Sequence, residues 1–212
     1  MTLAIDCATR WLNLGLSDGE RLYGAEAINA DRRQSAILPA AVDGFLSRNG
    51  VSLRELRLIA VTNGPGYYTG LRVGLSYASA LAESLGILVA PVCTLYVMAF
   101  SYLRTEFITV PVLRAGRDSV YCAAYRGHNE IMPPLFCSIE DLTAGILGDL
   151  ADGSNVLVTG SDALQFADGI ERRGVAILPT PPATGMNLAI CSARVRAVDP
   201  ASVKAVYLRL PG

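Results

Sequence analysis

Lysine and histidine are almost missing from this chain: each occurs once among its 212 residues, as Lys204 and His128. A Schiff-base or phosphate-gripping lysine therefore has a single candidate, and a metal site built on two histidines is excluded within these residues. His128 stands in the polar turn Gly127-His128-Asn129-Glu130, where a solvated side chain is the ordinary reading and general-base work the alternative; nothing near it resembles a nucleophile elbow. No Cys-x-x-Cys pair exists. The five cysteines, Cys7, Cys93, Cys122, Cys137 and Cys191, are odd in number, widely spaced and mostly set among apolar neighbours, so they read as buried free thiols, not as a disulfide framework or zinc site. Charge is scarce as well. Charged residues make up 17% and the net charge is -1, which advertises no polyanion partner.

Other absences bear on location. The N-terminus lacks a basic region followed by a long apolar core, so no secretory signal is read there. The longest uncharged stretch, Ser84 to Leu103, matches a membrane span in length, but Gly86, Pro91 and Thr94 break it into a strand, a turn and a helix. A soluble cytoplasmic protein without membrane contact is expected. With 51% hydrophobic residues the chain can build a substantial core, as one large domain or as two compact ones.

Apolar segments Thr2 to Ile5, Leu12 to Leu16 and Leu22 to Ile28, joined by tight turns, predict three antiparallel strands. From Ser35 to Asn49, Leu38, Ala41, Val42, Phe45 and Leu46 fall on one helical face, with Pro39 near the first turn and Gly50 as the stop. Ser52-Leu53-Arg54-Glu55 fits a capping box. Leu58 to Val61, a glycine turn, a helix from Gly70 to Leu85 and the strand Leu88 to Val92 make a βαβ unit with parallel strands. Thr94 to Leu103 predicts a helix. Near Thr105 the organisation begins again: strands at Phe107 to Leu113 and Ser119 to Tyr125, a helix capped at Ser138 and running to Leu150, and strands at Asn155 to Thr159 and Val175 to Leu178. The stiff Pro179-Thr180-Pro181-Pro182 connector leads to a helix from Met186 to Val198 and a short apolar segment, Ala205 to Leu210.

The stretch Gly64-Pro65-Gly66-Tyr67-Tyr68-Thr69-Gly70 is a shaped turn, with glycines open to backbone angles closed to other residues, φ fixed at Pro65, and Thr69 placed to cap the helix. A glycine-rich turn opening a helix presents amides to anions, yet Leu71-Arg72 replaces the Lys-Ser/Thr of a Walker loop and Thr69 replaces the third glycine of the dinucleotide fingerprint. A structural or partner-contacting turn is favoured over a nucleotide cradle. Behind it Gly70, Gly74, Ala78 and Ala82 recur every four residues, flanked by Leu71, Leu75, Leu81 and Leu85. This stripe lets another helix approach closely, or packs on the chain's own sheet. At Asp6-Cys7-Ala8-Thr9 the aspartate can hold a metal's water and the hydroxyl can meet a phosphate; the other reading is a capped turn. The pair Arg32-Arg33 and the cluster Arg114, Arg117 and Arg126 are either phosphate contacts or solvated charge.

The stretch Gly64 to Gly74 resembles the GPGSFTGLRIG signature of the TsaB (YeaZ) family, a dimerisation subunit of the bacterial machinery for threonylcarbamoyladenosine in tRNA. Thr2 to Thr9 is similar to the family's ILAIDTAT, Ile37-Leu38-Pro39 to its LLP, Ser119 to Tyr125 to its EVYWAAY, and Ala205 to Arg209 to its PVYLR. Arg33-Gln34 stands in place of the family's His-Ser, and Arg114-Ala115-Gly116 in place of its Asp-Ala-Arg. The resemblance implies an α/β actin-like (ASKHA, ribonuclease H-like) fold with mixed sheets flanked by helices, in lobes spanning 1–104 and 105–212. The N-terminal lobe would pair with the catalytic paralogue TsaD, or with a second copy, through Leu38, Val42, Phe45, Gly70, Leu71, Gly74, Leu75, Ala78 and Ala82. Asp6 and Thr9 would be the remnant of a cofactor site. ATP and metal would belong to the partner subunits TsaD and TsaE, and tRNA would be met through the complex. The rival expectation is a stand-alone actin-like phosphotransferase or peptidase.

Overall fold

A computed structural model gives the conformation of residues 1–19, 21–31, 33–160, 162–164, 174–179 and 184–209. Glu20, Arg32, the 180–182 part of the proline-rich connector, and Leu210 lie outside these described residues. The chain divides into two units: Met1–Val97 with Pro182–Tyr207, and Met98–Pro181 with Leu208–Gly212.

The first unit is built on a five-stranded sheet. Its strands are β1 (Thr2–Asp6), β2 (Trp11–Asp18), β3 (Arg21–Asn29), β4 (Leu58–Gly64) and β5 (Leu88–Cys93), in the order β3-β2-β1-β4-β5. The first three strands are antiparallel, as their tight turns require, and β4 and β5 run parallel to β1 through crossovers. Helix α1 (Gln34–Arg48) precedes β4, and α2 (Tyr68–Leu85) links β4 to β5. Strand β2 shows how the sheet is sided. Its Leu12, Leu14 and Leu16 join the cluster that holds Leu38, Val42 and Phe45 of α1 and Leu75, Ala78 and Ala82 of α2. The alternating Asn13, Gly15 and Ser17 belong to the opposite face, where α5 (Thr184–Cys191) lies. There the Gly15 and Gly185 backbones are so close that a Cβ on either would overlap the other strand or helix, and the Ser17 hydroxyl donates to Ala189 O at 3.0 Å.

That contact revises the expected domain division. The sequence reading cuts the chain once, after 104, whereas α5 and the segment to Tyr207 cluster with the first unit because a strand face of glycine and small polar residues has room only for a helix that also lacks bulk. The expected helix from Met186 to Val198 is shorter too. It passes into a 3-10 turn at Ser192–Arg194, and Val198 then pairs with Val89 on the outer edge of β5.

The second unit's sheet contains β6 (Ile108–Arg114), β7 (Ser119–Arg126), β8 (Asn129–Ser138), β9 (Val156–Thr159) and β10 (Val175–Leu178), in the order β10-β9-β6-β7-β8. Its first three strands are antiparallel and the last two parallel, so it repeats the topology of the first sheet with no visible sequence repeat. Strand β8 has no counterpart among the predicted strands, and its sequence carries Pro133-Pro134 in the middle. It is an edge strand whose pairing shifts register between Cys122 and Ala124, where missing N–H groups are tolerated. Ser138 caps as foreseen, its hydroxyl accepting from the Asp141 N–H at 2.9 Å, and a π-helical turn over Asp141–Ile146 leads into α4 (Leu147–Ala151). The stretch expected as one helix from Thr94 is α3 (Thr94–Ala99) followed by a 3-10 turn, and among the described residues no helix is long and apolar enough to cross a membrane.

Candidate functional site

Two turns meet at the C-terminal ends of β1 and β4. In the first, Asp6 is buried and its carboxylate is taken up by the protein: Oδ1 accepts from Ala8 N–H at 2.9 Å and Thr62 Oγ1 at 2.8 Å, while Oδ2 accepts from Asn13 Nδ2 at 3.2 Å and from Thr184 Oγ1. Thr9 closes the turn, its hydroxyl accepting from Trp11 N–H at 3.1 Å and its carbonyl from Gln34 Nε2 at 2.9 Å. This bonding is that of a capped turn, with Asp6 joining β1, β2, β4 and α5.

The glycine turn lies against it. The Gly64–Pro65 peptide is cis, Gly64 has φ +117, and Tyr67 N–H donates to Ala8 O at 2.8 Å. A Cβ on Gly66 would sit 2.5 Å from Ala8 O, and one on Gly70 would overlap Cys7 O. The glycines are therefore spent on close approach to the chain's own first turn, and amides that an anion cradle would need are partly engaged. Helix α2 starts at Tyr68 after a Tyr67 N-cap without a side-chain cap, so Thr69 lies inside the helix and does not cap it. On the far side Val206 N–H donates to Asn63 O at 2.7 Å, which ties the segment after α5 to the same turn.

The small-residue stripe resolves in the same way. Gly70, Leu71, Gly74, Leu75, Ala78 and Ala82 are buried, and so are Leu38, Val42 and Phe45 of α1. The side chains expected at a partner interface thus face the first unit's own sheet, because their spacing matches the side of each helix that must cover β1, β2 and β4. What α1 and α2 turn outward is different. Ala36, Ala40 and Asp43 of α1 and Arg72, Ser76 and Ala80 of α2 are exposed, with Ile37, Val73, Tyr77 and Leu81 half-buried between them. Helices α1 and α2 lie against each other, and burial, then the Asp43 carboxylate, push the Tyr77 hydroxyl above its ordinary range.

At the start of α2 stands an aromatic group that sequence reasoning did not single out. Tyr67 and Tyr68 are exposed, Tyr68 packs on Tyr207 with ring centroids 5.1 Å apart, and Arg72 lies over the Tyr68 ring at 5.2 Å while donating to its hydroxyl at 2.9 Å. The signal was present as two tyrosines where the resembled motif carries Ser-Phe. Its partner Tyr207 is distant in sequence, so only the fold could join them.

The other candidates stay apart. His128 is exposed, 5.9 Å from the Phe100 ring. Arg114 donates to the Gly116 and Arg117 carbonyls of its own turn at 2.9 Å, and Arg126 donates to Ser154 Oγ, in the loop before β9, at 3.3 Å. Arg33 is exposed at the N-cap of α1. None of the five cysteines is in a disulfide. Among the described residues no group of His, Cys, Asp or Glu could hold a metal ion.

Two mixed sheets of one repeated topology, each flanked by helices, define an α/β protein of the actin-like class. Ethanolamine utilization protein EutJ from Carboxydothermus hydrogenoformans shares it, with TM-score 0.56, 13% identity and coverage of 90% of this chain and 89% of that one. YeaZ from Pseudomonas aeruginosa superposes with TM-score 0.79 at 22% identity, over 98% of this chain and 99% of its own. A family model described as "TsaD: tRNA N6-adenosine threonylcarbamoyltransferase" matches residues 26–159. The chain belongs to that family and, within it, to the TsaB (YeaZ) group. The tRNA threonylcarbamoyladenosine biosynthesis protein TsaB of Bacillus subtilis is 28% identical over 130 residues, 61% of this chain and 57% of that protein. TsaB of Escherichia coli is 33% identical over 127 residues, 58% and 54% respectively. The matched stretch thus spans little more than half the length of either relative.

Proposed function

We propose that this chain is a cytoplasmic, non-catalytic subunit of the machinery that adds the threonylcarbamoyl group to adenosine 37 of tRNA, and that it binds and supports a TsaD-type catalytic paralogue. One observation carries this reading: a member of a threonylcarbamoyltransferase family has a single histidine in these 212 residues, which cannot build a paired-histidine metal site, and in this reading a partner supplies it. Metal and ATP chemistry then reside on TsaD and TsaE, and tRNA, for which a net charge of -1 offers little attraction, is held largely by the partners.

The docking surface in this reading is the outward face of α1 and α2. Ala36, Ala40 and Ala80 leave the backbone accessible to a partner helix, half-buried Ile37, Val73 and Leu81 supply apolar area, and the Tyr67, Tyr68 and Tyr207 group provides rigid anchors at one end. The same face serves a homodimer when TsaD is absent. The test is reconstitution of tRNA modification with purified TsaD and TsaE, with and without this chain. Activity that requires the chain, and is lost with Ala80→Arg while the circular dichroism spectrum is unchanged, is the expected result. Full activity without the chain, or nucleotide turnover or peptide cleavage by the chain alone, overturns the reading.

A further inference from the structure

Strands β7 and β8 bring two thiols together that no part of the functional reading uses. Cys122 Sγ and Cys137 Sγ are 3.7 Å apart. In the antiparallel register Cys122 stands opposite Leu135 and Cys137 opposite Val120, so the cysteines are diagonal neighbours on the face that joins the second unit's core. The sulfurs already face each other from adjacent strands, and closing to the bonded distance of about 2.05 Å calls for a small adjustment of the edge strand β8, whose register shift leaves it room to move. We propose that Cys122 and Cys137 form a reversible intramolecular disulfide, a thiol-redox site that takes a low-molecular-weight disulfide as its oxidising partner.

The two sulfurs are unequal in the way such a site requires. Cys122 is fully buried, whereas Cys137 is partly exposed on the edge strand and can be reached by a small reagent. The contact between the two thiols lowers the Cys137 thiol below its ordinary value, against burial and the nearby Asp141 carboxylate, and the same contact together with burial raises Cys122. Because only Cys137 can be reached from solvent, it is the attacking thiolate and Cys122 the resolving thiol. In the first step the Cys137 thiolate attacks one sulfur of the reagent disulfide, forming a mixed disulfide and expelling the other half as a thiolate. In the second, Cys122 loses its proton, attacks Cys137 Sγ and expels the remaining half. Two protein thiols lose two electrons and two protons, and the reagent disulfide leaves as two thiols.

The product staples β8, whose central Pro133-Pro134 weakens its ladder, to β7 across a short hairpin. Redox state would then set how firmly the outer edge of that sheet is held. The inference is independent of the partner-binding reading, because it concerns the second unit and a readout other than tRNA modification.

The experiment incubates the full chain with oxidised glutathione, blocks remaining thiols and digests with trypsin. The fragments Asp118–Arg126 and Gly127–Arg172 are expected joined, and separated again after reduction. Cys122→Ser is expected to stop at one glutathione on Cys137, and Cys137→Ser to leave residue 122 unmodified. The oxidised wild-type chain should also have a higher denaturant midpoint for the second unit than the reduced one. The wild-type digest requires no variant to fold. Unlinked fragments with glutathione absent from Cys137, or glutathione persisting there on the wild-type chain without linkage, overturns the proposal.

Discussion

Glycines 70 and 74 look equivalent in a stripe of small residues, but their neighbours differ. A Cβ on Gly70 overlaps the Cys7 carbonyl, which belongs to a turn pinned by Asp6 and cannot withdraw, whereas one on Gly74 meets the Cys7 side chain at 3.2 Å from its Cβ and 3.4 Å from its Sγ. Gly70→Ala is therefore expected to destabilise the chain by about 2–3 kcal/mol, through overpacking. Gly74→Ala should cost less than about 1 kcal/mol, because the gain in helix propensity offsets a small shift of the thiol. Urea midpoints of the two variants check this. The buried thiols set a second expectation. Burial pushes Cys191 from an ordinary 9.0 up to about 12, and Cys7 further up, aided by the Asp6 carboxylate. Raised folded-state values mean that the contribution is intact below about pH 9 and is lost as pH climbs, since the unfolded chain releases these protons first. The limiting slope is about 1.4 kcal/mol per pH unit for each thiol. Urea midpoints between pH 8 and 10 should fall less steeply for Cys191→Ser than for wild type.

Helix α5 shows most clearly what one carboxylate does for an element. Its first residue, Thr184, donates to Asp6, and its Gly185 sits on Gly15. Asp6→Ala leaves Thr62, Asn13 and Thr184 without their shared acceptor inside the core, and should cost roughly 3 kcal/mol. Hydrogen exchange should rise in α5 more than in α2, which is held by its own apolar face. A vestigial ligand site would instead lose nucleotide affinity and keep α5 protected. Periodicity made much of this fold legible. The leucines of β2, the apolar side of α1 and the βαβ unit around α2 each follow one face of one element, and capping at Ser138 depends on a neighbour three residues away. What escaped notice depends on contacts between distant residues. Pro133-Pro134 hid β8, because whether a strand lies at an edge is a property of the sheet. The stripe on α2 could not show in the sequence which surface it would meet, and Tyr207 gave no sign of its place on Tyr68.

At the scale of the whole molecule, both sheets run through the same order of three antiparallel and two parallel strands, but the first unit also takes back a helix made after the second sheet. A chain cut after Ala183 keeps β1 to β10 and lacks α5. It is expected to protect its second unit from proteolysis and to expose the first, where the Asn13, Gly15 and Ser17 face of β2 is left uncovered; limited proteolysis with fragment mass analysis reads the difference. The discontinuity also fixes a timetable. A ribosome delivers the second sheet whole before α5 leaves the exit tunnel, so during synthesis the N-terminal sheet waits half-clad while the later-made sheet completes first. In the nascent chain, the helix that Asp6 holds is among the last parts of the first unit to arrive, although the carboxylate that receives it is among the first.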